Sequence, residues 1–277
     1  MITHTVSKDL FFDLDHMLIE VLNGLSLSEW ELPTVAGTWT VKDIAAHLLD
    51  GNIRSLSMLR DLYQGERPSN IRNYGDLMIF LNKLNDDWVT AMRRVSPKQI
   101  VDMLTNSGAE YCRYISSLDV DEESVFSVAW AGEDQSMNGF HIAREYTEKW
   151  HHQQQIRLAV GQEAALYDKK FYLPYLNTSM QAVPHFYRDV TSEKDDAILI
   201  EISELINEKW IFIYDGKSWH LSNNLTTTPT TKVSIDATIA WRIMTSSKPI
   251  ENVRHYINME GNERLGEKFL EVRAVMV

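Results

Sequence analysis

The chain of 277 residues has a single cysteine, Cys112, so it cannot form a disulfide within itself. One thiol in a chain of this length is typical of proteins that fold in a reducing compartment. Basic residues are also in deficit, with 27 Lys and Arg against 39 Asp and Glu and a formal net charge of −12. Nucleic acids and anionic membranes are bound through basic surfaces, so the charge balance argues against both as partners.

Long apolar segments are lacking as well. No run approaches the roughly eighteen apolar residues that a membrane-spanning helix requires. The opening segment MITHTVSKDLFFDLDHM carries acidic side chains where a secretory signal would carry its apolar stretch. With 44% apolar and 24% charged residues, the composition is that of an ordinary soluble protein, which we expect to be cytoplasmic.

The first 160 residues show the spacing of amphipathic helices. Apolar residues recur at helical intervals from Leu10 to Val21, and Gly24 closes that helix. A second helix follows Thr38 or Thr40, either of which could cap it. Four main helices plus extras, joined by short connections, predict an antiparallel four-helix bundle. The remaining helices are predicted over residues 74–94, 97–117 and 139–160.

The composition changes after about residue 165. Short β-rich runs, AILIEISEL, KWIFIYDG, SWHLSNN and TTKVSID, are separated by turn residues. Helical patterns precede and follow them, in FYLPYLNTSMQAVPHFYRDV, ATIAWRIMTSS and NERLGEKFLEVRAVM, with a strand around HYINMEG. The fold class is therefore α plus α+β: a helical bundle over residues 1–165, then a small α+β domain with an antiparallel sheet over 166–277.

Three polar residues in the helical half could hold a metal ion. Glu148 and His152 are four positions apart in one predicted helix, so they lie on one face. His47 lies beside the inward stripe of another helix. Two imidazoles and one carboxylate leave coordination positions open, as a catalytic metal needs. Alternatively, Glu148 and His152 form a solvated surface pair and His47 is a satisfied helix histidine.

Two segments around these residues resemble a known family. The segment WTVKDIAAHLLD, with Trp39, Asp43 and His47, is similar to the first metal-binding helix of the DinB-like superfamily. The segment REYTEKWHHQQQIRLAVG resembles the corresponding segment of the mycothiol-dependent maleylpyruvate isomerase family within that superfamily. The residues that match in order are Arg144, Glu148, Trp150, His152, Ile156, Arg157, Ala159 and Gly161.

This resemblance implies a metal centre and a reaction. Its ligands would be His47, Glu148 and His152, with water in the remaining positions. The ion would be divalent, with zinc favoured and nickel or manganese also compatible with these ligands. A low-molecular-weight thiol would be the cosubstrate. The end of the chain, IDATIAWRIMTSS followed by INMEGNERLGEKFL, resembles the sterol-carrier-like α+β domain of the same family.

The chain departs from the family pattern at two places. Gln155 stands where the family often has Asp, so a negative charge behind the second imidazole is lost. Lys248, after Ser246 and Ser247, stands where the family often has a Gly-Arg pair. Lysine cannot clamp a carboxylate in the bidentate manner of arginine. Arg242 and Lys248 are nevertheless the candidate residues for binding the cosubstrate.

Neighbouring residues have competing interpretations. His151 is the nearest rival ligand, because three positions from Glu148 is also a permissible helical spacing; the i,i+4 spacing and the family match favour His152. Glu145 shares their stripe, and we interpret it as helix surface rather than as a partner of the ligands. Cys112 lies in a helical stripe and is interpreted as inert core.

The function expected from these observations is a metal-dependent, thiol-dependent isomerase or S-transferase. A metal-bound thiol loses its proton and becomes a nucleophile at neutral pH without any protein cysteine. One alternative is a non-catalytic protein whose bundle holds a metal and whose C-terminal domain binds a small apolar molecule. Another is a metal-dependent hydrolase with Glu145 as its general base.

Overall fold

A computed structural model describes residues 6–66, 71–203, 205–225, 228–245, 247 and 252–274. The chain divides into two compact units. The first, which we call the bundle unit, comprises Thr5–Val125 and Met137–Glu163. The second, the sheet unit, has its main part in Ala164–Val277 and also takes in the short segment Phe126–Ser136.

Five α-helices form the described part of the bundle unit. Helices α1, α2, α4 and α5 pack together, and α3 packs against α2. The amine of Lys8, just before α1, donates to the carbonyl of Ser116 near the end of α4 at 3.1 Å, as expected of an antiparallel pair. The bounds are α1 Asp9–Gly24, α2 Val41–Ser55, α3 Tyr74–Met92, α4 Pro97–Ser117 and α5 Asn138–Ala159.

The helix ends follow the capping residues of the sequence. The Thr40 hydroxyl accepts from the amide of Asp43, whose carboxylate accepts from the amide of Thr40, so this capping box starts α2. Ser96 caps α4, with Pro97 at its first position. Gly161, with a φ of +70°, follows α5 in the left-handed conformation that glycine adopts most readily. These interactions fix the register of the helices that carry the candidate site.

The core of the bundle unit is a cluster of buried apolar side chains. Its members from α2 present one face of that helix to the interior, which is why His47, beside that face, is drawn inward. At the outer side of α2, the indole nitrogen of Trp88 donates to the carbonyl of Ala46 at 2.8 Å and ties α3 to α2. The residues of α2 in this core are Val41, Ile44, Ala45, Ala46, Leu48 and Leu49.

The sheet unit contains one five-stranded sheet in the order β3-β2-β1-β4-β5. The strands are β1 Ala197–Ser203, β2 Glu208–Tyr214, β3 Trp219–Ser222, β4 Thr231–Asp236 and β5 Ile257–Gly261. The prediction of an antiparallel sheet is wrong for one pairing: β1 and β4 are parallel, with Ile200 opposite Val233. The chain returns after β3 to the far side of β1, so the sheet is mixed.

Four helices complete the described part of the sheet unit. The first predicted helical segment forms two helices, because α6 ends at Ser179 and α7 begins at Ala182. Two buried tyrosines join helices of this unit: the Tyr172 hydroxyl donates to the carbonyl of Ala237 at 2.7 Å, and the Tyr187 hydroxyl donates to that of Leu265 at 2.6 Å. The bounds are α6 Lys169–Ser179, α7 Ala182–Phe186, α8 Ala237–Met244 and α9 Glu263–Phe269.

The predicted fold class, a helical bundle followed by an α+β domain, is thus confirmed, with the correction to the sheet. Over the residues that the structure describes, no helix is both long and apolar enough to cross a bilayer.

Candidate metal centre

Helix α5 brings together three side chains of the types that ligate metal ions within the bundle unit. One donor atom from each of Glu148, His151 and His152 lies within 4.8 Å of the other two. Helical spacing explains the grouping, because the side chains three and four positions after Glu148 are its two neighbours on the next turn. The sequence spacing favoured His152 over His151, whereas the fold places both beside Glu148.

The closest pair in this group is the one that the i,i+4 spacing predicted. Nε2 of His152 lies 3.5 Å from Oε2 of Glu148. Ligand atoms that sit about 2.1 Å from one tetrahedral zinc ion are roughly 3.4 Å apart. The imidazole and the carboxylate are therefore already at the separation that a shared ion would require.

His47 approaches the group from α2. Its ring centroid lies 4.6 Å from that of His152 with the rings tilted by 72°, and 5.1 Å from the indole of Trp39. His47 is not one of the three residues whose donors lie within 4.8 Å of each other. Its Nδ1 is buried and has no hydrogen-bond partner among the described residues. The interpretation of His47 as a satisfied helix histidine therefore does not describe its surroundings.

The electrostatic surroundings keep His47 neutral. Burial lowers its pKa well below the ordinary value, and the neighbouring His152 and Arg54 side chains lower it further. A neutral imidazole keeps the lone pair that a metal ion needs. The buried and unpartnered Nδ1 shows that this ring is not fully satisfied by the protein alone.

His152 is oriented by a residue one turn further along α5. Its Nδ1 lies 2.9 Å from Oε1 of Gln155. An amide oxygen only accepts, so Nδ1 carries a proton, and Nε2 is the ring nitrogen that faces Glu148. Gln155 thus makes the hydrogen bond that the family's Asp would make, but without its negative charge.

Substitutions of Gln155 are expected to lower or to raise the affinity for metal, depending on the residue that replaces it. Gln155→Leu removes the acceptor that holds the imidazole, so the affinity for zinc should fall by about tenfold or more, whereas Gln155→Asp should raise it because a carboxylate makes the imidazole more basic. Isothermal titration of the metal-free protein with zinc measures both. Equal affinities in all three proteins would show that Gln155 does not support a ligand.

His151 is held in a different way. Its Nδ1 donates to the carbonyl of Thr147, 2.9 Å away on the same helix, and its ring centroid lies 3.9 Å from that of His152. Burial lowers the pKa of His151 to about 3, assisted by the neighbouring His152 side chain. His151 is therefore also a neutral imidazole whose Nε2 is free of the helix backbone.

Glu148 is the anionic member of the group. Burial raises the pKa of its carboxyl, but the hydrogen bond from His152 and attraction to His151 and His152 outweigh this, and the pKa lies below its ordinary value. One carboxylate with two or three neutral imidazoles suits a divalent first-row ion such as zinc, nickel or manganese. The residues present therefore fit the metal that the family resemblance implies.

The interpretation of Glu145 as helix surface is wrong. Its two carboxylate oxygens accept from the Arg144 guanidinium at 2.7 Å and from the Tyr111 hydroxyl at 2.6 Å. Burial raises the pKa of Glu145, but Arg144 and the two hydrogen bonds more than compensate and bring it to about 2. Such a weakly basic and fully bonded carboxylate is poorly suited to serve as the general base of a hydrolase.

Two other polar side chains, Cys112 and Lys149, are buried and half-buried, respectively, beside or on this helix. The interpretation of Cys112 as core is confirmed, since its thiol is buried and burial raises its pKa to about 12. The sequence pattern did not single out Lys149. Its amine donates to Oδ1 of Asn52 and lies 4.5 Å from the centre of the Tyr111 ring. A lysine between a glutamate and a tryptophan in a polar segment carries no sequence signal of burial.

In the sheet unit, Arg242 lies on α8. The carbon of its guanidinium is 5.6 Å from the centre of the Trp241 ring, and its Nε is buried without a hydrogen-bond partner in the described part of the chain. Lys248, the other candidate for binding the cosubstrate, lies outside the described residues.

The helical half of the chain matches a known protein family. The family model described as mycothiol maleylpyruvate isomerase N-terminal domain matches residues 11–157, more than half of the sequence. This match covers His47, Glu148, His151 and His152. A search of curated proteins gave no significant match.

The chain also aligns with solved structures. A crystal structure of a histidine-to-alanine variant of the mycothiol-dependent maleylpyruvate isomerase aligns with a TM-score of 0.51 at 9% identity, covering 92% of this chain and 93% of that one. The unsubstituted isomerase gives a TM-score of 0.49 at 10% identity with the same coverage. The ubiquinone synthesis protein UbiJ-SCP2 aligns over 36% of this chain and 93% of its own, at 7% identity and a TM-score of 0.27. The first alignment supports the fold.

Proposed function

The chain belongs to the mycothiol maleylpyruvate isomerase N-terminal domain family, and we propose that it is a metal-dependent enzyme that uses a low-molecular-weight thiol as cosubstrate. The reaction class is isomerisation of an unsaturated keto-diacid, or transfer of the thiol to a related electrophile. The observation that carries this proposal is the convergence of Glu148 and His152 with His47 inside the matched region.

In this proposal His47, Glu148 and His152 hold the ion. When bound, a divalent ion supplies charge that favours the thiolate form of a thiol over the neutral form, so that the cosubstrate is nucleophilic at neutral pH. Gln155 fixes the ring of His152, and the indole of Trp39 lies against His47 and restricts the space beside it. The protein needs no cysteine of its own, which agrees with the buried Cys112 of high pKa.

For the isomerase reaction, the thiolate sulfur forms a bond to one carbon of the substrate double bond. The former double bond then rotates, the carbon–sulfur bond breaks, and the same thiol is released, so that no atoms are gained or lost. A transferase reaction would stop at the adduct. We also propose that Arg242, whose Nε has no partner in the described structure, binds an anionic group of the substrate or thiol.

An activity screen with metal-loaded protein tests the proposal. Untagged protein loaded with zinc, nickel or manganese is mixed with maleylpyruvate and with mycothiol, glutathione or cysteine, and loss of substrate is followed by absorbance and products by mass spectrometry. Turnover or an adduct that needs both the metal and a thiol supports the proposal. Absence of both with every pair at saturating concentration would exclude it for these substrates.

The hydrolase alternative is less well supported. Its only candidate base, Glu145, has both oxygens engaged by Arg144 and Tyr111 and a pKa of about 2. A Glu145→Gln variant with an unchanged hydrolytic rate would exclude a hydrolase that uses Glu145 as its general base.

A further inference from the structure

His151 stands out because the structure offers the ion one more donor than the proposed ligand set uses. Seen down the axis of α5, His151 and His152 lie about 60° and 40° to either side of Glu148, since each residue advances by about 100°. Their donor atoms lie within 4.8 Å of each other and of the carboxylate. His47 adds a fourth candidate side chain from α2, its ring centroid 4.6 Å from that of His152, and four donors are the number that fills a tetrahedral site.

The hydrogen bonds of the two buried imidazoles distinguish them. Nδ1 of His47 has no partner among the described residues, so that ring gains from binding an ion. Nδ1 of His151 is satisfied by the Thr147 carbonyl at 2.9 Å whether or not its other nitrogen binds anything. His151 can therefore dissociate from an ion while its buried Nδ1–H stays hydrogen-bonded to Thr147.

The close packing of the His151 and His152 rings also indicates that His151 is the weaker ligand. The centroids of His151 and His152 are 3.9 Å apart and the rings are tilted by 37°. Only His152 has its Nε2 directed at the carboxylate, at 3.5 Å, with Gln155 behind it. Of the two adjacent imidazoles, His151 is thus the less firmly placed ligand.

We propose that His151 is a displaceable fourth ligand, which occupies in the resting enzyme the position that the thiol takes during the reaction. The inference rests on the proposed function, because it concerns the same ion. With an ion bound, thiol entry would break the bond from Nε2 of His151, the sulfur would take its place, and the thiol proton would pass to solvent. His151 then keeps its hydrogen bond to Thr147. The metal is held tightly at rest, yet one position opens to a thiol.

Cobalt-substituted protein tests this without an activity assay. The variant His151→Asn keeps an N–H that can donate to Thr147 and removes only Nε2. Cobalt affinity is measured by visible absorption, and 2-mercaptoethanol affinity by the sulfur-to-cobalt band in the near ultraviolet. We expect the variant to bind cobalt about tenfold more weakly and the thiol about tenfold more tightly than the wild type. His141→Asn, the same change at another buried histidine of α5, should alter neither constant.

The outcomes separate the two proposals. If wild-type protein binds no cobalt, the proposed function itself fails. If cobalt and the thiol bind equally well to wild type and to His151→Asn, the ion site stands and the role of His151 is overturned. Should the variant not fold, ¹⁵N NMR of the wild-type imidazoles decides: the Nε2 signal of His151 should shift on zinc binding and return on thiol addition, and an unshifted signal would refute the inference.

Discussion

Replacing His152 by alanine is expected to abolish stoichiometric metal binding. Nε2 of His152 faces the Glu148 carboxylate at 3.5 Å, so its loss removes the best-placed pair of donors. We expect about one divalent ion per wild-type chain and almost none in the variant. In the proposed reaction the ion would supply several kcal/mol of charge stabilisation, so kcat/KM should fall by about 10³-fold or more. Elemental mass spectrometry after dialysis measures the ion directly.

The exposed His16 on α1 provides the matched control. His16→Ala removes an imidazole from the same unit without touching the site, so its metal content and melting temperature should equal those of the wild type. A His152→Ala variant that folds and still holds a full complement of metal would contradict the site. So would a wild type that takes up no zinc, nickel or manganese.

The metal content of a His47→Ala variant tests separately whether α2 supplies a ligand. The family resemblance makes His47 a ligand, whereas the structure groups His151 rather than His47 with the pair on α5. Loss of metal from His47→Ala would establish that α2 contributes to the ion, as its buried and unpartnered Nδ1 suggests. Full metal content in this variant would leave a site built from α5 alone.

The boundaries of the helices could be predicted because local chemistry determines them. The Thr40 capping box, the Ser96-Pro97 start and the left-handed Gly161 each act within one turn, and the sequence displays all three. The direction of β4 relative to β1 could not be predicted. Apolar runs look the same in parallel and antiparallel neighbours, and only the path of the chain after β3 decides.

The candidate site was predicted in part for a similar reason. Spacing alone places both His151 and His152 beside Glu148, so it cannot select one of them, and the structure shows that both are near. The environment of Glu145 was missed because α5 departs from the usual two-faced pattern. Fifteen of its 22 residues are buried, including charged and amide side chains, so polarity on this helix does not indicate exposure.

Arg144→Met is expected to destabilise the fold strongly. The guanidinium of Arg144 donates to Oε1 of Glu145 at 2.7 Å and approaches Nδ1 of His141 at 2.9 Å, and the side chains of Arg144 and Glu145 are only 10% and 17% exposed. Removing one partner leaves a buried carboxylate without its counter-ion, which costs about 3–5 kcal/mol of the free energy of unfolding. Urea denaturation at pH 7 measures the loss. The double variant Arg144→Met/Glu145→Gln should recover part of it, because no charge is then left unpaired.

The pH dependence of the free energy of unfolding provides a second test of the Arg144–Glu145 pair in the same variant. In the wild type the pKa of Glu145 is about 2, below its ordinary 4.5, so the folded state favours the carboxylate. Its contribution of about 3 kcal/mol is present above pH 4.5 and is lost as the pH falls toward 2. Without Arg144, burial is the main remaining influence and raises the pKa, so Glu145 no longer adds to the acid loss. The difference in unfolding free energy between wild type and variant should therefore shrink between pH 7 and about pH 3. A difference that stays constant over this range would show that Arg144 does not hold Glu145 in its charged form.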